Sequence, residues 1–332
     1  MQAEAVKVSP GSRKRTVVLV GLLALACLLT AYFVQRWQEE RPFLQAAAKG
    51  RIGECGCDPL PTAGALGLSG LAGVVEHGVW ALAESGTVLR YETNGNGWCL
   101  RERIDDLHAK LGIAGDFESI AQLGDSQLAF GLESPYSGEH GDDIVVAARK
   151  NGKWSREFVL SIDYAAWPGL EHPANRGVEG LCSTPEWLVF ASERVFLANG
   201  KRFGPLGFWH RATKTWGFAS RELRSDEGKV SSIECREEGN GRLMLWAIER
   251  HFATMWLHQI RLANGDVKSD QVISLKDDNP VDLAPCRRDE ATNFEGLWYD
   301  GKELWLVNDN HYGRATTFTR ALRLGDCPLN GR

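Results

Sequence analysis

Beyond residue 65 the chain is a succession of short apolar runs punctuated by Gly, Asn and Asp clusters, with little helical periodicity. That pattern predicts many strands joined by turns. Five runs open alike: LSGLA at Leu68, FESIA at Phe117, VEGLC at Val178, VSSIE at Val230 and FEGLW at Phe294. After a turn, each is followed by a second apolar run that ends in an acid: VWALAE to Glu84, LAFGLE to Glu133, WLVFASE to Glu193, LMLWAIE to Glu249 and LWLVND to Asp309. The distance from the Ser or Glu of the first run to that acid is 15, 15, 14, 18 and 14 residues.

Two further candidate strands follow in the middle repeats: DIVVAARK and WSREFVLSI in the second, LGFWHRAT and TWGFASREL in the third, MWLHQIRL and VKSDQVISL in the fourth. Four antiparallel strands per repeat, with starts 49, 61, 52 and 64 residues apart, predict an all-β fold, a β-propeller of five blades, with six as the alternative. The last repeat has room for three strands only. A strand between about Cys55 and Gly67 is therefore expected to complete its blade and close the ring.

The N-terminal pattern is different. Thr16 to Val34 (TVVLVGLLALACLLTAYFV) carries no charge and is preceded by Lys7, Arg13, Lys14 and Arg15. A helix needs roughly twenty such residues to cross a bilayer, and the basic cluster favours a cytoplasmic N-terminus. A cleaved signal peptide fits less well, because no small-residue cleavage site follows before Gln35. A lipoprotein reading through Cys27 conflicts with the apolar stretch that continues from Leu28. The expected organisation is a cytoplasmic tail (1–15), a transmembrane anchor (16–34) in the lipid bilayer, a juxtamembrane stalk (35–65) and a propeller (66–332). The propeller would lie outside the cytoplasm, in the periplasm of a bacterium.

Composition narrows the function. A net charge of -5 offers no basic footprint for nucleic acid. Twelve Trp and 36 Gly suit a sheet protein with large rings between its layers and many turns. Eight cysteines show no zinc spacing, and Cys182 and Cys235 read as small core residues.

In a propeller the first strand of each blade lines the central channel. The repeated polar residues Ser69, Glu118, Glu179, Ser231 and Glu295 should therefore converge near the axis, with Ser232 as an alternative to Ser231. Three carboxylates and two hydroxyls are hard oxygen ligands that suit Ca²⁺. The competing reading is that they only hydrogen-bond neighbouring strands around channel water. Glu84, Glu133, Glu193, Glu249 and Asp309 are candidate catalytic groups at the rim of the same funnel, or solvated strand ends. Arg194 and Arg250 follow two of these acids and are candidates for binding an anion such as phosphate, or partners of neighbouring acids. Two loops add weaker candidates: Glu139, His140, Asp142 and Asp143, and Asp309, His311 and Arg314. No nucleophile elbow or phosphate-cradling Gly loop is present.

The segments VEGLCSTPEWLVFASER and FEGLWYDGKELWLVNDN resemble the phytase-like and SdiA-regulated propeller proteins. The Ser, Glu, Glu, Ser, Glu series behind an N-terminal anchor is similar to the calcium-activated nucleotidases, or apyrases. That resemblance implies five blades, with Ca²⁺ on the axis held by Ser69, Glu118, Glu179, Ser231 and Glu295. The expectation is a Ca²⁺-dependent hydrolase of small phosphate esters, or a binding scaffold in which the ion is structural.

Overall fold

The computed structural model describes residues 18, 20–35, 55–56, 67–74, 78–83, 85–93, 97–113, 115–134, 142–173, 175–239, 241–251, 254–263, 266–267, 272–275, 280–283, 293–309 and 321–326. Beyond residue 66 strands dominate, and they run as antiparallel meanders. The first unit is Leu68–Val74, Gly78–Ala83, Val88–Thr93 and Trp98–Ile104. The second is Asp116–Gly124, Gln127–Ser134, Asp143–Lys150 and Lys153–Ser161. Arg176–Ser183, Trp187–Ser192, Lys201–His210 and Thr215–Glu222 form the third. The fourth is Lys229–Glu238, Arg242–His251 and Thr254–Ala263 with Val281–Asp282 at its edge. In the fifth, Phe294–Tyr299, Leu304–Asn308 and Ala321–Arg323 are described.

The first strands lie beside one another in chain order, and Phe294–Tyr299 returns to lie against Leu68–Val74. Apolar side chains fill the spaces between consecutive sheets, as the alternation of strand residues requires. Trp80 and Leu82 meet Phe117 and Phe130, while Ile144 and Val146 meet Val178 and Phe190. Farther round, Val189 and Phe208 meet Val230 and Leu245, and Trp246 and Ile248 meet Leu297 and Leu306. Leu68, Val79 and Tyr91 then pack against Trp298, Trp305 and Val307, joining the last unit to the first. At that seam Trp98 sits edge-on to Trp298 and Trp305, with centroids 5.3 and 5.4 Å away. Such aromatic pairs contribute about 0.5–1.5 kcal/mol beyond their buried area. Sheets arranged in a ring around their first strands make a β-propeller.

The structure bears on four expectations. Cys55–Gly56 does not join the last unit; it pairs with Trp98–Ile104 on the outer edge of the first, while the rest of the expected closing strand, residues 57–66, lies outside the described residues. Val272–Leu275 is not the outer strand of the fourth unit. It pairs in parallel with Thr215–Glu222 of the third, where Leu275 enters the core between units three and four. Cys182 and Cys235 are buried in the core, as expected, and also form a disulfide, with Cα atoms 5.6 Å apart, that ties the first strands of units three and four. The fourth concerns the N-terminal helix. It is described over residues 20–35 with every side chain exposed, and no helix among the described residues is long and apolar enough to cross a membrane.

The disulfide closes a loop with a sequence separation of 53 residues, so its removal should enlarge the unfolded ensemble. The double variant Cys182→Ser/Cys235→Ser is expected to lose about 2–4 kcal/mol of stability in urea unfolding. An unchanged midpoint would show that the ring does not depend on this cross-link.

Candidate functional site

In every unit the pairing of first and second strands slips by one residue at the same place: Leu68/Gly70, Phe117/Ser119, Val178/Gly180, Val230/Ser232 and Phe294/Gly296. The residue skipped is Ser69, Glu118, Glu179, Ser231 or Glu295, the five repeated polar positions. A β-bulge takes one residue out of the ladder and re-aims its side chain. The slip also identifies Ser231, rather than Ser232, as the fourth member.

The five side chains then part ways. Ser69 Oγ donates to the Phe117 carbonyl at 3.1 Å, and Ser231 Oγ to the Phe294 carbonyl at 3.0 Å. Ser119, one residue after Glu118, does the same to Val178 at 2.6 Å. These three hydroxyls stitch the first strand of unit one to unit two, two to three and four to five, as the competing reading of the serines anticipated. Ser69→Ala or Ser231→Ala removes this bond between first strands and should cost about 0.5–1.5 kcal/mol. Cation affinity should stay the same; a weakened cation site in either variant would make the hydroxyl a ligand.

The glutamates meet instead. Carboxylate oxygens of Glu118, Glu133 and Glu179 lie within 4.8 Å of one another, and Glu118 and Glu133 share a hydrogen bond. A bond between two carboxyl groups needs a proton, and a cation can replace it. The cluster opens into a cavity of about 430 Å³ that also receives Glu193, Glu295, Arg176, Lys229 and Arg250. Arg176 bonds Glu193 at 2.6 Å, and Lys229 pairs with the other oxygen of Glu193. Arg250 pairs with Glu295 and donates to Asn293 Oδ1. Asn293 Nδ2 donates in turn to Glu295 at 2.9 Å and Asp309 at 3.1 Å.

Burial in this crowd shifts the charges. It pushes the Glu179 carboxyl up to about 8, reinforced by repulsion from Glu295. Glu295 rises to about 7 by burial, against the pull of Arg250. Burial also raises Glu133, with the Glu118 hydrogen bond opposing. Lys229 falls to about 8, first through burial and then through repulsion by Arg250. Three carboxylates in close reach, two of them pushed up by burial, form an oxygen-only donor set that fits a hard cation such as Ca²⁺.

Register explains which second-strand acids reach this place. Phe117, Val178 and Phe294 oppose Leu132, Ser192 and Asn308, so the next residue is Glu133, Glu193 or Asp309. In the fourth unit Val230 opposes Glu249 itself, and the equivalent next residue is Arg250. A one-residue offset turns a strand side chain to the other face. Glu249 is accordingly outside the cavity, a correction of its expected place at the rim. It accepts from the backbone N–H of Arg224 and Ser225 at 2.8 Å each and contacts His258 Nε2 at 2.9 Å. Burial alone would raise its carboxyl, but His258 and these two N–H groups together hold it low.

Arg194 is also withdrawn from anion binding. Its side chain is fully buried, with Nε and Nη2 on the two carboxylate oxygens of Asp142 at 2.9 and 2.8 Å. Asp142 is thereby a structural residue, and Asp143 accepts from Ser161 Oγ at 2.7 Å. Glu84, Glu139, His140, His311 and Arg314 lie outside the described residues. Arg176, Lys229 and Asn293 escaped the sequence reading. They stand one or two positions before the repeated apolar residue, so the repeat extended by two residues would have reached them.

The phytase-like family, described as esterase-like activity of phytase, matches residues 66–312. No curated protein matches the sequence. Among solved structures, the PQQ-bound aldose sugar dehydrogenase of Streptomyces coelicolor is similar, with 12% identity, 82% of this chain and 97% of that one covered, and a TM-score of 0.39. The Dos1 propeller has 10% identity, covers 77% and 59%, and has a TM-score of 0.36. For the WD40 β-propeller domain of Doa1 the values are 9%, 77% and 92%, with a TM-score of 0.36.

Proposed function

Since the chain belongs to the phytase-like family, we propose that it is a Ca²⁺-dependent hydrolase of phosphate esters, built on a five-bladed propeller and tethered to a membrane by its N-terminal helix. The observation that carries this reading is the meeting of Glu118, Glu133 and Glu179 in one cavity with Arg176, Lys229 and Arg250. Glu118, Glu133 and Glu179 would hold the ion. When bound, Ca²⁺ supplies positive charge that neutralises phosphoryl oxygens.

The remaining work belongs to the chain's own side chains. Arg176, Lys229 and Arg250 bring three cations to the cavity wall and draw in a phosphate group. Glu193, paired with Arg176 and Lys229, is the group to accept a proton from attacking water. Glu295, with its carboxyl pushed up to about 7, exchanges a proton near neutral pH and can protonate the leaving oxygen. Two acids separated in this way can divide the base and acid roles.

The test is turnover of a panel containing p-nitrophenyl phosphate, sugar phosphates, nucleotides and inositol phosphates, in Ca²⁺ and in EDTA. Turnover that requires Ca²⁺ and is lost in Glu193→Gln supports the reading; bound Ca²⁺ with no turnover on any member defeats it. In that event the scaffold reading takes over. The internal pairing of Arg176 and Lys229 with Glu193, and of Arg250 with Glu295, favours that alternative, since it already balances much of the charge.

The tether rests on a helix that leaves Val20, Leu22, Leu25, Leu28 and Phe33 about half or more exposed, an arrangement suited to lipid. The Cys182–Cys235 disulfide fits an oxidising compartment outside the cytoplasm. A reporter active only in the cytoplasm, fused after Arg332, should stay silent; a strong signal from an intact fusion would reverse the orientation.

A further inference from the structure

The first strands begin at the acidic cavity and end at another. Their C-terminal ends line an open cavity of about 590 Å³ on the opposite side of the ring. Two charged side chains face it from different elements, Glu234 on the first strand of unit four and Arg211 from the turn after Lys201–His210. Among the described residues neither forms an ion pair. The Glu234 carboxyl accepts, among the described residues, from the backbone N–H of Cys235 at 2.8 Å and of Tyr299 at 3.4 Å. Arg211 spends its donors on carbonyls, those of Leu123 at 2.6 Å, Thr184 at 2.9 Å and Pro185 at 3.3 Å.

We propose that this second cavity binds a small zwitterion of the amino-acid class, with its carboxylate on Arg211 and its ammonium on Glu234. A cation and an acid that line one cavity without an ion pair among the described residues are complementary to a ligand that carries both charges. The three carbonyls orient the guanidinium and use three of its five N–H groups, which leaves two for a carboxylate. Glu234 is held ready in the same way by its two backbone donors. Burial pushes its carboxyl up to about 8 against those donors, and burial alone lowers Arg211. A ligand's ammonium and carboxylate would relieve both. Gln122, which also lines the cavity, has a carboxamide oxygen buried without a partner. It can accept a further ammonium hydrogen or a side-chain donor.

The site is independent of the acidic cavity, so its fate does not depend on the hydrolase reading. The experiment is calorimetry on the full-length protein with the set of proteinogenic α-amino acids, each compared with its carboxamide and its N-acetyl form. At least one amino acid should bind saturably, and removal of either charge should weaken it roughly tenfold or more. Glu234→Gln keeps the shape of the side chain and one of its two backbone hydrogen bonds and should produce a similar loss. Gly124→Phe provides a second variant, because a Cβ there meets nothing within 4 Å and the ring would occupy the cavity that Gly124 lines. EDTA should leave the binding unchanged. Failure of every amino acid to bind, equal binding of the amide and acetyl forms, or undiminished binding in both variants would overturn the proposal.

Discussion

Replacing Asp142 by Asn is expected to destabilise the protein by about 3–5 kcal/mol, the cost of leaving one partner of a buried ion pair uncompensated. The pair is fully buried, with both carboxylate oxygens engaged by Arg194. Tyr164 also donates its hydroxyl to Asp142, and the Arg194 guanidinium lies 5.4 Å from the Tyr164 ring centre. Burial and the Asp142 charge keep the Tyr164 phenol well above its usual value, so it remains a donor. The Asn variant therefore strands a guanidinium. The effect should reach the site as well, because Arg194 Nη2 donates to the Arg176 carbonyl at 3.1 Å and Nη1 to the Pro173 carbonyl at 3.4 Å. Pro173 and Arg176 both line the acidic cavity. Urea unfolding of Asp142→Asn measures the loss. A midpoint equal to wild type would mean that this network does not hold the segment.

The second large effect is a pH-dependent stability that Ca²⁺ reduces. Glu179 has its carboxyl raised from 4.5 to about 8 and Glu295 to about 7. Between pH 5 and the raised values the folded state binds more protons than the unfolded chain, so stability must fall as pH rises across that window. The slope is at most about 1.4 kcal/mol per pH unit for each such group. Without Ca²⁺ the melting temperature should drop from pH 5 to pH 8. Bound Ca²⁺ competes with the protons, so its affinity should rise over the same interval and offset the drop. At a hundred times its dissociation constant the ion stabilises by about 2.7 kcal/mol.

Glu179→Gln takes away a strongly shifted carboxyl of the acidic cavity at nearly constant shape. Its ion-free form should melt no lower than ion-free wild type at pH 8, and its response to Ca²⁺ should be much weaker. Melting that ignores pH, Ca²⁺ and EDTA alike would remove the cation site, and with it the main support for the hydrolase.

The repeat was legible because it is a local property. An apolar residue, a polar residue and a small residue recur where each first strand starts, and their spacing to the second strand survives in four of five units. Strand identity and the β-rich class follow from alternation that short windows already contain. The five bulged positions, and hence Glu118, Glu179 and Glu295, could be chosen from the chain alone.

What the tertiary structure decided was pairing. Cys182 and Cys235 are far apart in sequence and meet only because adjacent first strands carry them to the same height. Glu249 matches the other second-strand acids by eye, yet one added residue of register turns it away and delivers Arg250 in its place. Arg194 carries the same charge as Arg250, but its neighbour in space is Asp142, fifty-two positions upstream. Val272–Leu275 reads as a strand anywhere, and only a free edge in unit three made it a parallel one. Side-chain type and period are written residue by residue. Charge compensation, face and partner depend on distances between segments, which no single stretch of this chain contains.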